Sequence, residues 1–376
     1  MRAVFFVLLA LSIIVPIGVN DVFANDGKNI LEIASLEHET GRSQHHSLVQ
    51  VDSDTYALAY EGKDLDGFIS TFTISSDGTS IVKVNSLEHD TNQGAYNSLV
   101  QVDSDTYALA YAGKDDDGFI STFTIDSDGV ITPIRIQDHT NHASASANLE
   151  HDTNQGANNS LVQVDSDTYA LAYAGGADDG FISTFTIDSD GVITPIRIQD
   201  HTNHASASAN LEHDTSRGKM NSLVQVDSDT YALAYAGEDR DGFITTFTIS
   251  SDGSSITEVA GSILEHDTNR GSYNSLVHVD SDTYALAYSS WEEDGFISTF
   301  TIDNDGVITP IRIQDHTNHA SASANLEHDK IKGEYNSLVQ VDSDTYALAY
   351  AGKDTDGYIS TFTISSDGTS IVKVNS

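Results

Sequence analysis

Six of the histidines in this 376-residue chain sit in the triplet Leu-Glu-His, and each is followed 28 residues later by an aspartate. The pairs are His38 with Asp66, His89 with Asp117, His151 with Asp179, His213 with Asp241, His266 with Asp294, and His328 with Asp356. A histidine within reach of a carboxylate can hydrogen-bond to it, or can ligate a metal with it. Ligands must converge within one coordination sphere, so a pair recurring at a fixed interval favours a repeated structural bond over a metal ring. The same aspartates close a second motif, the turns Lys63–Gly67, Lys114–Gly118, Gly176–Gly180, Glu238–Gly242, Trp291–Gly295 and Lys353–Gly357. Asp-x-Asp-Gly can offer carboxylate oxygens to a hard cation. Candidate Ca2+ ligands are Asp64 and Asp66, Asp115 and Asp117, Asp239 and Asp241, and Asp354 and Asp356. The pattern lacks the downstream bidentate acid of calcium loops, and Ala177 replaces the first acid in one copy. A plain turn is the competing reading.

A third motif, His139-x-x-His142 in Asp138–Asn148, recurs in Asp200–Asn210 and Asp315–Asn325. Near the following Glu150 and His151 it could ligate a metal; the competing reading, a polar loop of small residues copied by duplication, is favoured. No nucleophile motif and no Gly-rich phosphate loop is present, and the Asp-Ser-Asp-Gly turns fall short of a sialidase Asp box. The expected number of catalytic and cofactor-binding residues is therefore none. Close internal symmetry favours repeated weak binding over one catalytic centre.

These motifs recur because the chain is a tandem array. Leu87–Asn148 and Leu149–Asn210 differ at three of 62 positions: Tyr96 against Asn158, Lys114 against Gly176, and Asp115 against Ala177. Six units follow a leader: 36–86, 87–148, 149–210, 211–263, 264–325 and 326–376. A period of this size means one supersecondary unit, repeated. In the second unit, Asn97–Asp103, Thr106–Ala112, Phe119–Ile125 and Val130–Gln137 read as four strands with period-two patterning and Asp/Gly turns between them. Tyr107, Leu109 and Tyr111 make a bulky face, while Ala108 and Ala110 leave room for a neighbour. Pro133, Pro195 and Pro310 fall at one place in the fourth strand, which marks it as a sheet edge. The Asp-Gly pairs are expected to supply the positive φ of tight hairpins.

Units of this kind bury both faces by stacking in a ring. The expected fold is all-β, a six-bladed β-propeller of four-stranded antiparallel blades, with an open solenoid as the rival. In strand order and in the His/Asp positions alone, the chain resembles WD40-type blades. That resemblance implies a hydrogen bond from the histidine entering the first strand to the aspartate of its own unit's turn. Phe72, Phe123, Phe185, Phe247, Phe300 and Phe362 are expected between blades.

Residues 1–24 read as a signal peptide ahead of the propeller at 25–376, with 29–35 placed to serve as a ring-closing strand. Export is the expectation, to a secreted or cell-surface location, with the membrane touched only through an uncleaved leader. The absence of cysteine rules out a disulfide framework. A net charge of −40 repels a phosphate backbone, so nucleic acid is not an expected partner. The function expected is non-enzymatic: multivalent binding of a glycan or surface polymer through equivalent pockets. The alternative is a polysaccharide hydrolase or lyase with its site at the channel mouth.

Overall fold

The computed structural model describes residues 32–135, 149–198, 211–312 and 326–375. The leader, the three insertion segments with their His-x-x-His motifs, and the first residues of the 29–35 segment lie outside these ranges. Glu32–Ser35 carry no strand. The fold is all-β, a six-bladed propeller of small antiparallel sheets. Among the described residues the only helical elements are six three-residue 3₁₀ turns. By packing, the chain makes two compact units, one comprising Ile33–Leu233 with Phe247–Glu258 and the other Ala234–Thr246 with Val259–Ser376.

Each sheet is a four-strand meander whose strands pair in chain order. In the second blade these are Ala95–Gln101, Thr106–Ala112, Gly118–Ile125 and Ile131–Arg135. The β-branched and aromatic run of the third strand pairs with the second in unbroken register, Tyr107 opposite Phe123 and Tyr111 opposite Phe119. Pro133 stands opposite Phe123, on the edge strand where its missing N–H costs no ladder bond.

The edge strand has a second part that the sequence units conceal. Leu149–Asp152 pairs with Gly118–Ile120, extending the edge of the preceding blade. In the first blade the two parts are one continuous strand, Ile81–Asp90. In the second, third and fifth blades the insertion separates them. Leu-Glu-His-Asp therefore ends one blade rather than leading into the next, which corrects the reading of its histidine as the entrance to a first strand.

Neighbouring blades pack bulky face on small face. Tyr107, Leu109, Tyr111 and Phe123 lie against Ala57, Ala59 and Ile69 of the first blade. Tyr169, Leu171 and Tyr173 repeat this on Ala108 and Ala110, as do Tyr346, Leu348 and Tyr350 on Ala285 and Ala287. The six phenylalanines named above are all buried; truncating one such ring to alanine costs on the order of 3–5 kcal/mol. Polar latches add direction to this packing. The Thr122 hydroxyl donates to the Gly191 carbonyl at 2.8 Å, and the Asn159 amide donates to the Tyr96 carbonyl at 3.1 Å.

Candidate ligand-binding site

Every blade has two ends of opposite character. At one end lie the turn Val-Asp-Ser-Asp-Thr and the hairpin ending Asp-Gly; the first is spelled identically in all six copies. We call this the constant end. At the other lie the loop after Leu-Glu-His-Asp, the start of the first strand and the 3₁₀ turn. Tyr96, Lys114 and Asp115, the positions at which the second and third copies differ, all lie here, flanking the Ala95–Ala112 pair. We call this the variable end.

The geometry of the variable end begins with glycine. The Gly156 N–H donates to the Asp116 carbonyl at 2.8 Å, drawing the third unit's loop onto the second unit's turn. A Cβ on Gly156 would lie 2.1 Å from the Gly118 Cα, so only glycine fits. Gly118, the first residue of the third strand, thus serves close approach. Its own φ is not positive; positive φ in this turn falls on Asp115 and Asp116, at 62° and 67°. The Asp-Gly hairpins at the constant end do match the expectation, with Gly129 at 78°.

The histidine fills the space the glycine leaves. His151 lies over Gly118 and meets the Tyr173 ring edge-on at 4.6 Å; His89 with Tyr111 and His266 with Tyr288 repeat the geometry. At His89, His151, His266 and His328 neither ring nitrogen has a hydrogen-bond partner. The expected bond from histidine to the aspartate 28 residues on is therefore not made at these four. The histidine's strand belongs to the preceding blade, and its ring is a packing element. Burial depresses it: His89, His151, His213 and His328 are pushed down to about 3 and His266 to about 4.

The aspartate meets another acid instead. Burial, with the charges of Glu150, Asp115 and Asp152, pushes Asp117 up to about 6. Asp241 beside Glu265 and Asp294 beside Glu327 reach about 6 for the same reasons. Asp66 and Asp179 are raised as well, first by burial. The glutamate of Leu-Glu-His is thus the partner that spacing within a unit did not reveal. The other calcium candidates turn outward: Asp64 and Asp115 are exposed, 3.6 and 3.8 Å from the Lys63 and Lys114 amines, and Asp239, Asp354 and Asp356 are exposed. Among the described residues no group of three or more His, Asp or Glu is arranged to hold a metal ion.

At the constant end the aspartates are held by donors. Asp103 accepts from the Asp105 and Thr106 amides at 3.2 and 2.9 Å. The Ser75 hydroxyl, with the Thr79 amide and hydroxyl, pulls Asp77 down to about 2.

What distinguishes the variable ends is their side chains. Each first strand begins with a bulge whose central residue is not glycine yet sits in the left-handed region: His45, Tyr96, Asn158, Met220, Tyr273 and Tyr335, at φ 53–56°. Bulges re-aim side chains, and such strain is characteristic of functional sites. Of 17 Lys and Arg, ten lie in the variable-end segments (Arg42, Lys63, Lys114, Arg217, Lys219, Arg240, Arg270, Lys330, Lys332, Lys353); none lies in the constant-end turns. In the first unit of the fold, Arg42 meets Glu61 at 2.8 Å and His45 packs on Tyr96 at 4.2 Å. In the second, Glu334 binds Arg270 and Lys332, each at 3.1 Å, and Tyr273 packs on Tyr335 at 4.4 Å. Trp291 and Tyr335 are 63% and 60% exposed.

No family model matches this sequence, and no curated protein matches it. Solved structures are similar in fold. A Bacteroides fragilis protein described as a 6-phosphogluconolactonase aligns at 14% identity and TM-score 0.62, over 91% of this chain and 85% of that one. A periplasmic gluconolactonase from Pseudomonas aeruginosa aligns at 12% and 0.58, over 85% and 81%. AofleA from Arthrobotrys oligospora aligns at 9% and 0.51, over 88% and 87%. Identities this low establish the fold alone.

Proposed function

We propose that this is an exported binding protein that recognises a saccharide of an extracellular or cell-surface polymer through the variable ends of its blades. One observation carries this reading. Between near-verbatim copies the differences gather at one end of the blade, where aromatic and charged side chains replace one another around a strained bulge. Packing demands alone would leave the two ends equally uniform. Exposed aromatics beside fixed ionic groups suit a sugar, which offers an apolar ring face and a rim of hydroxyls. A glycan array probed with the full mature chain tests the proposal, the expected result being selective retention of a small set of glycans.

Hydrolysis is the second reading. It is favoured by the lactonases among the similar structures and by Ser43, whose hydroxyl lies 2.8 Å from the His46 Nε2. That is nucleophile–base distance, and it is particular to the first unit: the other units carry glycine and asparagine at these positions. The −40 charge disfavours a phosphorylated lactone. Release of gluconate from glucono-δ-lactone, abolished by Ser43→Ala, would replace the binding reading.

A further inference from the structure

The six variable ends are unequal, and one place stands out. The turn Trp291–Glu293 of the fifth unit and the loop before the sixth unit's first strand are joined by the Gly333 N–H donating to the Glu293 carbonyl at 2.7 Å. Around this junction Arg270 and Lys332 are both bound to Glu334, and Lys332 also reaches Glu293 at 3.6 Å. The turn has an anchor the others lack. Ser290 stands where all five other units have glycine before the 3₁₀ turn (Gly62, Gly113, Gly175, Gly237 and Gly352), and its hydroxyl donates to Asp267 at 2.5 Å. Trp291, the one tryptophan of the chain, is thereby fixed on a braced turn with its ring in solvent.

Taking the glycan reading as its basis, we infer that this junction is a single saccharide site, in which Trp291 and Tyr335 stack on an uncharged pyranose while Arg270, Lys332 and Glu293 bond its hydroxyls. Rigid aromatics give large contact area at small entropic cost, and a braced turn reduces the cost of ordering further. The two cations are balanced by two carboxylates, so no net positive charge remains to attract an anion. Across the rest of the chain the excess is negative, which opposes uronate or sulfated sugars. The equivalent turn positions in the other units hold Lys63, Lys114, Gly176, Glu238 and Lys353, none of which offers a stacking face. On this inference the chain carries one binding site, where equivalent pockets would give one per blade.

Because Trp291 is the only tryptophan, its emission reports on this site without labelling. The full mature chain is titrated with the methyl pyranosides of glucose, galactose, mannose and fucose, and with methyl glucuronoside, following emission and, by calorimetry, stoichiometry. The expected result is a saturable emission change with at least one uncharged glycoside, at about one sugar per chain, weakened at least tenfold by Trp291→Ala and by Arg270→Ala. Circular dichroism should show both variants folded, and glucuronoside should bind more weakly than the uncharged sugars. If a glycoside binds at about six per chain, or without moving the emission, the glycan reading stands and the single site is wrong. If none of the uncharged glycosides binds, the site and the glycan reading fall together.

Discussion

The same residue, aspartate, does opposite things at the two ends of a blade. At the constant end Asp77 and Asp252 are each met by hydroxyl and amide donors and are held at about 2. At the variable end Asp117, Asp241 and Asp294 are half-buried against other acids and are pushed up to about 6. The first arrangement stabilises a turn, spelled Ser-Ser-Asp-Gly in the first, fourth and sixth units and Asp-x-Asp-Gly in the others. The second is tolerated beside glycine–glycine contacts that leave no freedom in the backbone, while the side chains around it vary from copy to copy. A repeat protein can keep one end for folding and diversify the other.

The comparison breaks most directly at the glycines. Gly156→Ala places a methyl group 2.1 Å from the Gly118 backbone at the variable end. Overpacking costs about 1–3 kcal/mol and more where backbone meets backbone and neither can relax, so a large drop in the denaturation midpoint or loss of the folded protein is expected. Gly78→Ala at the constant end meets nothing nearer than 3.6 Å and bears only its φ of 70°, a cost of about 1–2 kcal/mol. Equal effects at the two positions would remove the distinction between close approach and turn geometry.

Next in size is Thr122→Val, which removes the buried hydroxyl that donates to the Gly191 carbonyl. Denaturant melts should show a loss of about 1–2 kcal/mol, because the carbonyl is left without its donor.

The pH dependence follows from two opposed sets. The buried histidines have folded values near 3, below their unfolded 6.5. The unfolded chain therefore binds protons that the folded one refuses, and stability is lost as pH falls through 6.5 towards 3. The raised aspartates act in reverse: between about 6 and 3.8 the folded chain binds the extra protons, and stability is gained as pH falls through that window. The histidines are more numerous and fully enclosed, so the net melting temperature should fall from pH 7 to pH 4. Asp117→Asn should raise the melting temperature at pH 8 and leave it unchanged at pH 4. A gain of equal size at both pH values would show that Asp117 is not crowded by Glu150.

The smallest expected effect concerns calcium. Constant-end aspartates are already served by backbone donors, and the variable-end acids pair without forming a cage. Millimolar calcium should raise the melting temperature no more than sodium at equal ionic strength. A calcium-specific rise would restore the Asp-x-Asp-Gly turns, Asp64 and Asp66 among them, as cation sites.

Much of the fold was legible in the residues. Period-two strands, alternating Tyr/Ala faces and prolines confined to one strand all report local geometry, and each was found where its chemistry placed it. The partner of the histidine was not legible, because it depends on which blade owns Leu-Glu-His-Asp. That strand pairs backward in the chain, to the third strand of the preceding unit, and nothing in its spacing to Asp117 carries this information. The pairing of the triplet's glutamate with that aspartate is hidden in the sequence for the same reason. The bulge at Tyr96 was hidden too, since a residue adopting φ of 53° without being glycine leaves no sequence mark. The three differences between the second and third copies were visible from the start; their meeting at one end of a blade needed the strand register.

Glycan-array binding of two variants tests the division between the ends most directly. One variant replaces recognition positions of the second fold unit with the residues of the third copy: Tyr273→Asn, Trp291→Gly and Tyr335→Asn. The other neutralises constant-end turns: Asp103→Asn, Asp105→Asn, Asp165→Asn and Asp167→Asn. The first variant should fold and lose the glycans the parent retains, while the second should keep them. Retained binding in the first with loss in the folded second would place recognition at the constant end and contradict this division.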